Sequence, residues 1–311
     1  MKRENVRNIL IAGGGMMGKN IAFVFSSVPE FSITVYDIRP TDVAAGIRSN
    51  CAQLVEKGVL DPAELDARLS RIRFTTDLED EGVRSADLVV EAVFEDMGVK
   101  RETFAKLEAR CRPDTIFCTN PSVMSPSEIS RELKYRERFV GTHFWNPGHL
   151  IPLVEVVKSD ATSDETAETV LQVLRDAGKK PVLCKKDVPG FIANRMQHAL
   201  WREAISIIEH GIADAETVDM AVKYSFGLRL PQLGPIENAD MVGTDLTWSI
   251  HDYILPALED SHEPSPLLTQ LKEEGKLGFK SGEGFQKWTP EETAASNAAL
   301  NEYLIRMLYG K

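Results

Sequence analysis

Three glycines, at positions 13, 15 and 18, restrict the fold more than any other feature of the chain. They follow the apolar run Asn8-Ile9-Leu10-Ile11-Ala12 and precede Met16-Met17, where a helical pattern begins. In such a strand–turn–helix unit Gly13 permits the tight turn and Gly15 lets the backbone approach a pyrophosphate. Gly18 lets the helix pack closely on the strand, and the helix N-terminus, with Met16 and Met17 in its first turn, faces the phosphate charge. A second apolar run, 32–37, ends in Asp37. A carboxylate about 20 positions past the glycines accepts hydrogen bonds from the adenosine ribose of a dinucleotide. It favours NAD over NADP. Arg39 could meet a 2′-phosphate, but the charge of Asp37 repels that group at close range.

The same alternation continues down the chain. Short β-branched runs at 8–12, 32–37, 72–75, 88–93, 115–119, 139–144, 153–157 and 181–185 are separated by longer amphipathic stretches. This is the pattern of parallel strands joined by crossover helices. Residues 41–70, interrupted at Lys57-Gly58 and Asp61-Pro62, read as two charged helices projecting from the sheet. At Asp187-Val188-Pro189-Gly190 the texture changes. Helical spacing then recurs at 191–209, 214–224, 236–258, 266–274 and 290–308, with no strand among them. The expectation is an α/β protein: a Rossmann-type doubly wound sheet over residues 1–187, followed by an all-helical C-terminal domain over 188–311 for substrate and dimer contacts.

Composition narrows the partners. A net charge of -11 at pH 7 argues against nucleic acid, whose affinity for proteins comes from clustered Lys and Arg. No apolar run approaches the roughly 20 residues that span a bilayer, and the N-terminus enters the glycine turn without a signal-peptide pattern, so no membrane association and a cytoplasmic location are expected. Cys51, Cys111, Cys118 and Cys184 have neither metal-ligand spacing nor disulfide-scaffold density. They are expected to be reduced thiols, and no metal site is expected.

The residues able to do chemistry cluster at strand ends. The run 139–144 ends near His143, residues 145–148 turn, and the run 153–157 carries Glu155 in an apolar setting. A carboxylate without a partner is costly to bury, and His143 on an adjacent strand is the natural partner, giving a general base with an orienting acid. His149, in the loop, competes for the role. In Thr119-Asn120-Pro121-Ser122, Asn120 is placed beside the cofactor. The Ser122 hydroxyl either binds the reacting oxygen or caps a helix. Asn194 can add a second hydrogen bond to substrate or be an exposed helix residue. Glu95 and Lys100, after the run 88–93, are candidate cofactor neighbours or parts of a solvated loop and helix start.

Together these pieces resemble the L-3-hydroxyacyl-CoA dehydrogenase family from Val6 to about Trp288. The matching segments are the glycine turn, VVEAVFED, TNPS, GTHFWNP, PLVEVV, PGFIANR and LGFKSGEGFQKW. The resemblance implies that Ser122, His143, Glu155 and Asn194 hold the four catalytic positions. It also implies NAD as cofactor, oxidation of an L-3-hydroxyacyl-CoA to the 3-oxoacyl-CoA, a place in fatty acid metabolism, and a homodimer formed through the helical domain. Some residues depart from the family pattern. Pro121-Ser122-Val123 stands where a polar Thr-Ser-Ser run is usual, Pro152 where a lysine is common, and 226–235 is longer than usual. These features are similar to the branch of lambda-crystallin/L-gulonate, carnitine and pyridine-carboxylate dehydrogenases, whose small substrates are not thioesters. Arg229 would then clamp a free carboxylate, or else be a surface arginine. The helices of 41–70 resemble the region that contacts CoA, and family frequency favours the thioester. A non-catalytic dinucleotide-binding protein is the third reading, and the intact Ser, His, Glu and Asn set stands against it.

Overall fold

Alternate residues of the apolar runs point to opposite faces of one eight-stranded sheet in the computed structural model, which describes residues 1–310. The strands are β1 (Asn8–Ala12), β2 (Ser32–Tyr36), β3 (Ile72–Thr75), β4 (Leu88–Glu91), β5 (Ile116–Thr119), β6 (Phe139–Phe144), β7 (Leu153–Lys158) and β8 (Lys180–Cys184). The helices that follow or flank them are α1 (Met16–Phe25), α2 (Val43–Glu56), α3 (Pro62–Leu69), α4 (Glu81–Arg84), α5 (Met97–Glu108), α6 (Pro126–Ile129) and α7 (Asp164–Asp176). On one face Ile9, Ile11, Val90 and Val154 pack in a core with Ile21 and Phe25 of α1 and Val170 and Leu174 of α7. On the other, Leu10, Val89, Phe117 and Phe139 pack with Phe104 and Leu107 of α5. Burial on both faces explains why these strands read as continuous apolar runs. Each fully buried Ile, Leu or Val stabilises the fold by roughly 1.5–3 kcal/mol.

The strand order is β3-β2-β1-β4-β5-β6-β7-β8. Order reverses between β1 and β4, and the crevice outside the C-terminal ends of such a pair is where sheets of this kind hold ligands. From β3 to β6 every pair is parallel. The last two strands differ from the parallel pattern expected of them: β7 runs antiparallel to β6, and β8 runs parallel to β7. Residues 145–152 between β6 and β7 are too few for a crossover helix, so the chain can only turn back on itself.

Residue contacts divide the chain into two compact units, one of Met1–Asn194 with Leu300–Lys311 and one of Arg195–Ala299. The second is helical, with α8 (Ala193–Glu209) leading into it, then α9 (Ala215–Lys223), α10 (Phe226–Arg229), α11 (Pro235–Val242), α12 (Thr244–Ile254), α13 (Pro266–Glu273) and the start of α14 (Pro290–Tyr309). The single helix expected over 236–258 is broken at Gly243, whose φ of 101° lies outside helical space. Two isolated bridges, Gly278 to Glu283 and Glu283 to Lys287, are the only β pairing described in this unit. Among the described residues no helix is long and apolar enough to cross a membrane.

Candidate active site

The nucleotide turn is shaped by what a side chain would strike. Gly13 has a φ of 115°, and a Cβ there would lie 2.5 Å from the Ala92 carbonyl oxygen; one on Gly18 would lie 1.8 Å from that of Gly13. Around Gly15 the space is open. Helices α2, α3, α5 and α7 are capped by Asp42, Asp61, Asp96 and Ser163, whereas α1 begins at Gly15 with no side-chain cap and no acid in its first turn. Its first N–H groups and the positive end of its dipole therefore face clear space above β1, a cradle that suits a pyrophosphate. One oxygen of Asp37 accepts from the Gly14 N–H at 2.7 Å and the other from the Arg39 N–H at 3.0 Å. Asp37 thus fixes the glycine loop. These residues fit NAD.

Beyond β4 lies a charge network that was not foreseen in full. Lys100 is completely buried, and its ammonium contacts Glu91 at 2.9 and 3.1 Å and Glu95 at 3.1 Å. Glu91, also completely buried, accepts from Thr119 Oγ1 at 2.6 Å and from the Val93 N–H at 2.8 Å. Glu95 accepts from the Ser122 N–H at 2.7 Å, so the buried cation holds the acid that holds the Ser122 loop. Glu91 went unremarked in the sequence, although a carboxylate closing the run LVVE carries the same signal as Glu155.

Strand pairing sets His143 opposite Glu155. Nδ1 of His143 lies 2.8 Å from Glu155 Oε2, and His143 is 6% exposed while Glu155 is fully enclosed. A buried carboxylate at Nδ1 selects, in the neutral imidazole, the tautomer that carries its proton there and leaves Nε2 as the acceptor. Oε1 of Glu155 accepts from the Ile192 and Ala193 N–H groups, each at 2.9 Å. Those donors are aimed by Phe191, which takes a φ of 51°, unusual for a side chain of its bulk. Burial works to raise the Glu155 pKa, but the hydrogen bonds from His143, Ala193 and Ile192 outweigh it and hold the carboxyl below its ordinary value.

Asn120 Oδ1 accepts from the Phe144 N–H at 2.9 Å, tying the end of β5 to the end of β6. Asn194, 8% exposed, donates from Nδ2 to the Ser122 carbonyl oxygen at 2.9 Å, and Ser122 itself is exposed. Ser122, His143, Glu155 and Asn194 thus all lie in the first unit. Met16 is exposed and Met17 half-buried at the start of α1. His149 has no carboxylate partner. Burial first, then the Lys179 ammonium, push its pKa down to about 4, so it is neutral but a poor base. Arg229 ends α10 in the other unit and is exposed.

An imidazole backed by a buried carboxylate, beside a dinucleotide cradle, defines an NAD-dependent alcohol dehydrogenase. Residues 8–188 match the 3-hydroxyacyl-CoA dehydrogenase, NAD binding domain, and residues 190–288 match the 3-hydroxyacyl-CoA dehydrogenase, C-terminal domain. The chain belongs to the 3-hydroxyacyl-CoA dehydrogenase family. It is 34% identical over 312 residues to 5-formyl-3-hydroxy-2-methylpyridine 4-carboxylate 5-dehydrogenase of Mesorhizobium japonicum, covering 98% of this chain and 99% of that one. Human mitochondrial hydroxyacyl-coenzyme A dehydrogenase is 36% identical over 298 residues, covering 92% and 93%. Among solved structures, an NAD+-dependent dismutase described as the same pyridine-carboxylate dehydrogenase aligns with a TM-score of 0.89 at 32% identity, over 98% of this chain and 99% of that one. A (S)-3-hydroxybutyryl-CoA dehydrogenase from Ralstonia eutropha aligns at 0.76 and 28% identity, over 92% and 100%.

Proposed function

We infer that the chain oxidises the hydroxyl group of a small free carboxylic acid with NAD, using His143 as general base. Bound NAD supplies the hydride acceptor. Nε2 of His143 takes the hydroxyl proton as the carbon loses its hydride, leaving a carbonyl product, and Glu155 stabilises the imidazolium so formed. Ser122 and Asn194 are read as hydrogen-bonding the reacting oxygen. The pairing of His143 with a fully enclosed Glu155 carries the chemistry. The free-acid substrate is supported by likeness over essentially the whole of both chains to the pyridine-carboxylate enzyme, against shorter coverage of this chain for the acyl-CoA relatives. Arg229 is then the carboxylate clamp.

Oxidation of an L-3-hydroxyacyl-CoA to the 3-oxoacyl-CoA is the second reading, favoured by the many relatives that act on CoA thioesters and by the helices α2 and α3. A panel of hydroxy acids, hydroxymethyl-aromatic carboxylates and the matching CoA thioesters, with NADH formation followed optically, separates the two. Turnover of free acids alone is expected, and preference for a thioester would overturn the substrate reading. His143→Gln should lower kcat about 10²–10⁴-fold on whichever substrate is used. Arg229→Ala should raise KM about tenfold or more for a free acid while sparing a thioester.

A homodimer through the helical unit is supported by large apolar side chains left exposed there, among them Tyr253 at 88%, Ile236 at 76% and Trp248 at 68%. Light scattering at twice the chain mass would bear this out. Free, buried thiols at all four cysteines suit a reducing, cytoplasmic setting.

A further inference from the structure

We propose that Trp145 is a positioning residue that sets the basicity of His143 by sharing its carboxylate oxygen. The inference rests on the reading of His143 as the base. Trp145 follows β6 directly, and its Nε1–H donates to Glu155 Oε2 at 3.3 Å, the same oxygen that meets His143 Nδ1 at 2.8 Å. An indole N–H can only donate, so the direction of this bond is fixed whatever the state of the histidine. The two rings lie 5.3 Å apart between centroids, and the Phe191 ring lies 5.7 Å from the imidazole. Glu155 therefore takes four donors, two on each oxygen. Each donor draws charge from the carboxylate, and what the indole draws is lost to the imidazolium.

Several titratable groups on neighbouring elements have partners of their own or lie exposed. Burial raises the pKa of the Cys118 thiol on β5 and of the Cys184 thiol on β8, keeping both neutral. Lys158 on β7 pairs with Asp164, and Glu128 on α6 pairs with Arg101. Lys179 donates to the Gly148 and Ile151 carbonyl oxygens, and Asp187 accepts from Ser125 and Ser127. Lys180 on β8 and the acids of α7 are exposed. Glu155 is the charged group in hydrogen-bond contact with the imidazole, and Trp145 is its second side-chain donor.

Removing the indole N–H should leave Oε2 with His143 alone, strengthen that bond, and raise the pKa of His143. The test is histidine NMR titration of the full-length protein, with and without NAD, the His143 signal being assigned by its loss in His143→Gln. Trp145→Phe should raise the His143 pKa by about 0.5–1. Replacing Trp145 with benzothienylalanine, which keeps the bicyclic outline and lacks only the N–H, should do the same and guards against a packing defect in the phenylalanine variant. In kinetics, the acid limb for alcohol oxidation and the alkaline limb for carbonyl reduction should both move to higher pH, whereas simple damage lowers both rates at every pH. An unmoved His143 pKa in the benzothienylalanine protein overturns the proposal, even if His143→Gln abolishes turnover and so upholds the base. A shifted pKa together with full turnover in His143→Gln would uphold the sharing and reject the base.

Discussion

Four donors converge on the two oxygens of Glu155, and a glutamine there could accept on only one of them. In Glu155→Gln at least one pair of donors meets an amide N–H₂, at a cost of about 1–3 kcal/mol. The pH dependence has a definite sign. Because the folded protein holds this carboxyl below its ordinary 4.5, the group contributes stability that is complete above pH 4.5 and lost as pH falls through the lower folded value. Urea unfolding from pH 7 down to pH 3 should therefore show the gap between wild type and Glu155→Gln narrowing below pH 4.5. A gap that stays constant across that range would mean the carboxyl is not held down by its donors. The pairing itself was legible in the sequence, since a carboxylate within an apolar strand asks for a partner and His143 stood one strand away. The donors from Trp145, Ile192 and Ala193 were not, because they depend on how a turn and a helix start are aimed, and no spacing rule encodes that.

At the scale of elements, α1 is set apart by what it lacks. Its neighbours are closed by an Asp or Ser cap, while Gly15 leaves the α1 N-terminus open for a ligand's charge. The strand–helix pair β4–α5 carries the opposite device, an ion pair between Glu91 and Lys100 sealed from water. Lys100→Met would leave Glu91 charged and unpaired in the interior and should destabilise the protein by about 3–5 kcal/mol, read from denaturant unfolding. A smaller loss together with a normal KM for NAD would mean that Glu91 is simply protonated in the variant. From the sequence Lys100 was a candidate cofactor neighbour or part of a solvated helix start, and its complete burial rules out the solvated reading. A helix turns successive residues through about 100°, and the rotation of α5 against the sheet points this one inward to Glu91. Packing made that choice.

At the scale of the whole molecule, the C-terminal helix ends in the first unit. Residues 300–310 belong to the first unit, and Ile305, 1% exposed, joins the core that contains β1, β2 and α1. Ile305→Ala should cost about 2–5 kcal/mol, whereas Leu300→Ala, at a position 51% exposed, should change stability by about 0.5 kcal/mol or less. Thermal or urea unfolding of the two variants distinguishes them, and equal losses would mean that the tail does not serve this core. By itself the sequence determined the strand-by-strand α/β pattern, the glycine turn with Asp37, and the demand of Glu155 for a partner, because period, turn chemistry and the penalty on buried charge are local properties of the chain. Only the tertiary structure decided the inward turn of Lys100, the four donors on Glu155 and the return of the C-terminal helix. Each of those depends on how one element is rotated and seated against another, which is fixed only when the core closes.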